Sequence, residues 1–145
     1  MNRVLVVLFL LSYSILFSQS INGKNQGKNI FQIDCSVRAL EVENDSTCWF
    51  AGSKNKFGYT NDFGETWKEN VIKYDTFNLE FRSISVTTNY IFILSIGSPA
   101  LLFKINKKTL NYKLVYNETT EKAFYDSMQF WDDENGIAGI CGFAF

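Results

Sequence analysis

The chain has 145 residues, 14 basic and 15 acidic side chains for a net charge of −1, and no histidine. A near-neutral chain without a basic cluster has no electrostatic footprint for nucleic acid. Lacking histidine, it holds no Ser-His-acid triad, no Cys-His pair and no His-x-x-x-His zinc site, and no glycine-rich phosphate loop opens a helix. No cofactor or metal is therefore expected. Aromatic residues make up 17% of the chain and Pro99 is the single proline. Abundant Phe, Tyr, Val, Ile and Thr with little alanine predicts strands.

Residues 1–20 read as a signal peptide: Arg3 starts it, Val4 to Leu11 form an apolar run, and Ser18 and Ser20 fit a cut after Ser20, with Ser18 as a second candidate. The run is shorter than the ~20 residues that span a bilayer, so no stable membrane insertion is expected. The expected destination is secreted, or periplasmic and cell-envelope. Losing residues 1–20 removes Arg3 and no acid, which leaves 13 basic against 15 acidic residues. Residues 21–34, rich in Asn, Gly, Gln and Lys, read as a lead-in with a short strand at Ile30 to Ile33. Cys35, Cys48 and Cys141 make an odd count. A Cys35–Cys48 bridge between adjacent strands and buried free thiols both stand open.

From residue 35 the chain repeats itself. Val37 to Val42, Phe81 to Val86 and Tyr125 to Phe130 lie 44 residues apart. Ala39, Ser83 and Ser127 are small; Leu40, Ile84 and Met128 are apolar; Glu41, Ser85 and Gln129 are polar; Val42, Val86 and Phe130 return to apolar. That alternation predicts a strand with one wetter face. Each copy runs through a turn into a second strand: Thr47 to Ala51, Tyr90 to Ser95, and Ile137 to Cys141. The third turn carries Asn135-Gly136, a hairpin dipeptide. Lys56 to Tyr59 and Thr66 to Lys73 complete the first copy, Ala100 to Ile105 and Asn111 to Tyr116 the second.

A period of ~40–50 residues with four short strands per copy marks a β-propeller blade. The expected fold is all-β. Residues 35–145 form about two and a half four-stranded blades of a β-propeller, an incomplete ring, with repeats near 37–73, 81–116 and 125–145. The third copy stops after two strands, which points to an N-terminal piece of a longer chain. A complete small β-sandwich is the alternative.

Thr60-Asn61-Asp62-Phe63-Gly64-Glu65-Thr66-Trp67 is a polar turn ending on an aromatic. Asp62 is placed to accept backbone N–H groups just ahead, Gly64 to supply a positive φ, and Trp67 to pin the hairpin to a sheet. Thr60, Asp62, Gly64, Thr66 and Trp67 together resemble the Asp-box of bacterial neuraminidase (BNR) repeats. In that family the box is a structural hairpin away from any active site, so the resemblance implies a structural Asp62. The second copy has no such pattern at Asn106 to Tyr112. More widely, residues 36–145 are similar to exported BNR-type propellers of the photosystem II assembly and stability factor kind. The Asp-box and the run Phe124 to Ala138 carry that likeness. It implies a non-catalytic scaffold that holds protein partners.

A sialidase grips its substrate carboxylate with three arginines, and after residue 20 only Arg38 and Arg82 are present. Other glycosidases need two carboxyl groups ~5–10 Å apart. Asp132, Asp133 and Glu134 sit where a turn is required and read as a solvated turn. Asp126, which replaces the arginine of the other copies, is a candidate ligand contact. The function expected is an exported, non-catalytic propeller scaffold or binding protein with a protein or glycan partner. The alternative is the N-terminal part of a secreted glycoside hydrolase with a sialidase-like propeller. A self-contained adhesion module is a third.

Overall fold

A computed structural model of the chain describes residues 31–140 apart from 77, 121 and 122. The expected signal peptide over 1–20, the lead-in up to residue 30 and Cys141 lie outside the described residues. Ten strands and no helix occur among them, and none of their segments is a helix long and apolar enough to cross a membrane.

The strands form three antiparallel sheets, each paired in sequence order. Sheet I contains β1 (Val37–Val42), β2 (Cys48–Gly52), β3 (Lys56–Thr60) and β4 (Lys68–Val71). Sheet II contains β5 (Phe81–Val86), β6 (Tyr90–Ser95), β7 (Ala100–Asn106) and β8 (Tyr112–Glu118). Sheet III contains β9 (Tyr125–Phe130) and β10 (Gly136–Ile140). The three segments read as equivalent thus each open a sheet, and β5 packs against β1 on one side and β9 on the other.

Sheet II lies between the other two, which explains its composition. On β6, Ile91 and Ile93 join the core shared with sheet I, while Phe92 and Leu94 join the core shared with sheet III. A strand covered on both faces reads as a continuous apolar run, and Tyr-Ile-Phe-Ile-Leu-Ser does. The outer strand β8 instead reads Tyr-Lys-Leu-Val-Tyr-Asn-Glu and is mostly exposed, with charge along a sheet edge.

Where β5 meets β9 the backbones come close, and small side chains are required. The Ser85 hydroxyl accepts the Phe130 N–H at 2.8 Å and the Ser83 hydroxyl donates to the Met128 carbonyl at 3.4 Å. This revises the expectation of a wetter face. Ser83 and Ser85 are buried in the joint between sheets, whereas Leu40 and Val42, on the face read as apolar, are exposed because no described sheet lies on that side of β1.

Two turns join third strands to fourth, and they use one device with different residues. Between β3 and β4, Asp62 Oδ1 accepts the Thr60 hydroxyl at 2.7 Å and the Thr66 N–H at 2.9 Å, and Asp62 Oδ2 accepts the Thr66 hydroxyl at 2.5 Å. These donors, the Thr66 hydroxyl foremost, hold the Asp62 carboxyl down at about 2. The Thr60 hydroxyl in turn accepts the Gly64 N–H at 3.0 Å. Gly64 has φ 85°, and Phe63 beside it is also left-handed at φ 61°. Between β7 and β8, Asn106 Oδ1 accepts the Lys108 and Thr109 N–H groups, each at 3.0 Å. A carboxamide there does the work of the carboxylate in sheet I.

Trp67 meets Phe50 edge to face at 5.7 Å. Phe50 lies across Gly58, its cross-strand partner. A Cβ on Gly58 would come within 2.1 Å of the Lys68 carbonyl and 2.6 Å of the Phe50 ring. Only glycine lets β4 and that ring approach so closely.

Two smaller expectations are corrected, and one open alternative is decided. Residues 31–33 form no strand. Cys35 and Cys48 are free thiols: Cys48 pairs with Val42 at the turn end of the β1–β2 hairpin, and Cys35 precedes its open end, which separates them by most of a strand. Burial pushes both thiols up. Asn135-Gly136 is not the hairpin turn itself. Gly136 already pairs with Phe130, and the loop is Trp131 to Asn135, built on the Asp132 carboxylate, which accepts the Glu134 N–H at 2.8 Å and the Asn135 N–H at 2.6 Å.

Candidate functional site

The turns that follow β1, β5 and β9 gather at one end of the inner strands, and each is stiffened by local hydrogen bonds. In the first, Asn44 Oδ1 accepts the Ser46 and Thr47 N–H groups, each at 3.0 Å. In the second, Thr87 N–H reaches the Tyr90 carbonyl at 2.9 Å. In the third, Asp132 takes the donors just described, its Asn135 side-chain bond first among the causes that hold its carboxyl low.

Side chains then tie turn to turn. Lys107, from the β7–β8 turn, donates to Glu43 Oε1 at 2.6 Å and to the Thr87 carbonyl at 2.7 Å. The other Glu43 oxygen accepts the Trp49 indole N–H at 2.7 Å. Across the next joint, Asp133 accepts the Thr87 hydroxyl at 2.6 Å and the Asn89 side-chain amide at 2.7 Å. The Thr87 hydroxyl heads the causes that lower the Asp133 carboxyl. Lys104, buried, pairs with Glu134 at 2.7 Å and sits 4.3 Å above the Tyr90 ring. The acidic run read as a solvated turn is thus only partly so: Asp132 shapes the turn, while Asp133 and Glu134 latch sheet III to sheet II.

Between these turns lies an open groove of about 490 Å³. Glu41 and Val42 at the end of β1, Val86 and Thr87 at the end of β5, the Glu43–Lys107 pair, Thr88 and Trp131 line it. Trp131 is 67% exposed, large for an indole with no wall of its own to cover it. Glu41 is half-buried and has no hydrogen bond or ion pair to its carboxylate among the described residues. Burial raises its carboxyl above the usual range. The arrangement offers one uncompensated carboxylate, an exposed aromatic face and apolar walls. It is suited to holding a ligand and has no nucleophile–base pair among its lining residues.

The residues singled out from sequence lie elsewhere. Asp126 is the second residue of β9, at the opposite end of the inner strands, and contacts Arg82 at 3.4 Å. The arginine of the second copy therefore faces the acid that replaces it in the third. The Thr60–Trp67 turn does not line the groove, but Phe63 N–H donates to the Ser46 carbonyl at 3.1 Å, so it supports the turn that forms the rim. Glu41, Lys107 and Trp131 were not picked out from sequence. The available signal was Trp131, a large aromatic set directly against a turn-forming acidic run.

No protein family matches the sequence, and no curated protein matches it. Among solved structures, YCF48 bound to D1 peptide superposes with a TM-score of 0.64 at 13% identity, over 76% of this chain and 37% of that one. The chain thus spans little more than a third of the length of that protein. At this identity the likeness concerns fold, and it agrees with the sheets described above: the chain has a β-propeller-like fold of antiparallel sheets set side by side through their first strands.

Proposed function

We propose that the protein is an exported, non-catalytic scaffold of BNR-type blades whose groove at the mouth of the inner strands holds a polypeptide partner. The observation that carries this reading is the convergence of three turns on one open groove with Trp131 exposed in it. Propeller-like YCF48 in complex with D1 peptide lends the class of partner. The Thr60–Trp67 turn is read as the Asp-box, supported by the hydrogen bonds that the Asp62 and Thr60 side chains make within it. Residues 1–20 are read as the signal for export, and the mature protein is expected to begin at Ile21, or at Gln19 if the cut follows Ser18.

The test is selection of random-sequence peptides on the purified mature chain, with Trp131→Ala as comparison. Enriched peptides that bind the wild type and lose affinity for the variant support the reading. Selection that enriches nothing, or peptides indifferent to Trp131→Ala, contradicts it.

A further inference from the structure

The charges at the groove do not balance. Glu43 is engaged by Lys107 and by the Trp49 indole, and Lys107 directs a further proton to the Thr87 carbonyl. Glu41 alone has no partner among the described residues, and its half-buried position makes its charge costly until a cation arrives. An anion finds no free cation here, because Lys107 is already engaged. No group of three or more acidic, cysteine or histidine side chains that could hold a metal ion occurs among the described residues, so one carboxylate would have to bind a metal nearly unaided.

We propose that the groove seats a lysine or arginine side chain of the partner polypeptide, with the Glu41 carboxylate as counter-charge and the Trp131 indole as the flat face beside it. Val42 and Val86 supply apolar contact for the aliphatic stem, which such side chains bury while the charged head is paired. The molecule already contains one site of this design. Lys104 lies between the Glu134 carboxylate, 2.7 Å away, and the Tyr90 and Phe92 rings, 4.3 and 5.4 Å from their centroids. A carboxylate and an aromatic face together favour an ammonium or guanidinium. The groove presents the same two components without the cation.

This inference rests on the scaffold reading, and one experiment separates the two. Peptides selected on the mature chain are sequenced for lysine and arginine, then titrated by fluorescence anisotropy against wild type and Glu41→Gln, an isosteric change checked for unaltered melting. The expected result is enrichment of basic residues and a loss of roughly tenfold or more in affinity for Glu41→Gln, the size of one hydrogen bond to a charged group. Replacing the basic residue of the peptide with glutamine should weaken wild-type binding as much and cost Glu41→Gln little more. Peptides that bind through Trp131 but lack basic enrichment, or bind Glu41→Gln within twofold, would overturn this inference and leave the scaffold reading in place. Failure to select any peptide would overturn both.

Discussion

Sheets I and II carry the same strand pattern, yet equivalent side chains meet different surroundings. Ile84 on β5 is 5% exposed, packed in the core between the two sheets, while Leu40 at the same place on β1 is 63% exposed. The far side shows the same contrast. Phe92 on β6, opposite Ser85, is 2% exposed and stacks on Phe130 with ring centroids 3.6 Å apart. Ile137 on β10, opposite Gln129, holds the corresponding place and is 67% exposed. In a repeat array, burial depends on whether a neighbouring sheet covers that face, and residue type alone does not decide it.

The comparison can be broken by mutation. Ile84→Ala should cost ~2–5 kcal/mol of stability, as for other core truncations, and Leu40→Ala should stay within ~0.5 kcal/mol. Urea denaturation of each variant measures this, and equal costs would mean that something covers Leu40. A smaller effect sharpens the picture of the joint. Ser85→Ala leaves the half-buried Phe130 N–H without its acceptor and should cost ~0.5–1.5 kcal/mol, where a solvated serine would cost almost nothing.

The smallest effect concerns the Asp62 turn. Its carboxyl is held at about 2, below the ordinary 3.8. A lowered folded value means that the turn's contribution is complete above about 3.8 and is lost as pH falls through about 2. The Thr66 amide shift, followed by NMR, should titrate with a midpoint near the lower value. A midpoint near 3.8 would show that the hydrogen bonds to Asp62 are not formed.

Strand positions were legible in the sequence because local alternation and the 44-residue offset report backbone pairing. Val37–Val42, Phe81–Val86 and Tyr90–Ser95 form strands at the residues the pattern indicates. What faces each strand was not legible, since it depends on the neighbouring sheet. Ser85 read as polar and is buried; Leu40 read as apolar and is exposed. Lys104 was hidden in the same way: a charge within a strand reads as solvated, and here it fills the joint beside Tyr90. The groove was out of reach for a related reason, since Glu41, Lys107 and Trp131 come from three sheets and meet only after those sheets pack. Asp126 attracted notice as a departure from the repeat, and that departure pairs it with Arg82.

Residue-resolved amide hydrogen exchange on the native chain addresses the packing most directly. With sheet II covered on both faces, amides of β5 and β6 should be the slowest to exchange, and those of β10 should exchange orders of magnitude faster, as in other arrays that open from their less covered elements. Protection of β10 equal to that of β6, or fastest exchange in β5, would contradict the side-by-side arrangement of the three sheets.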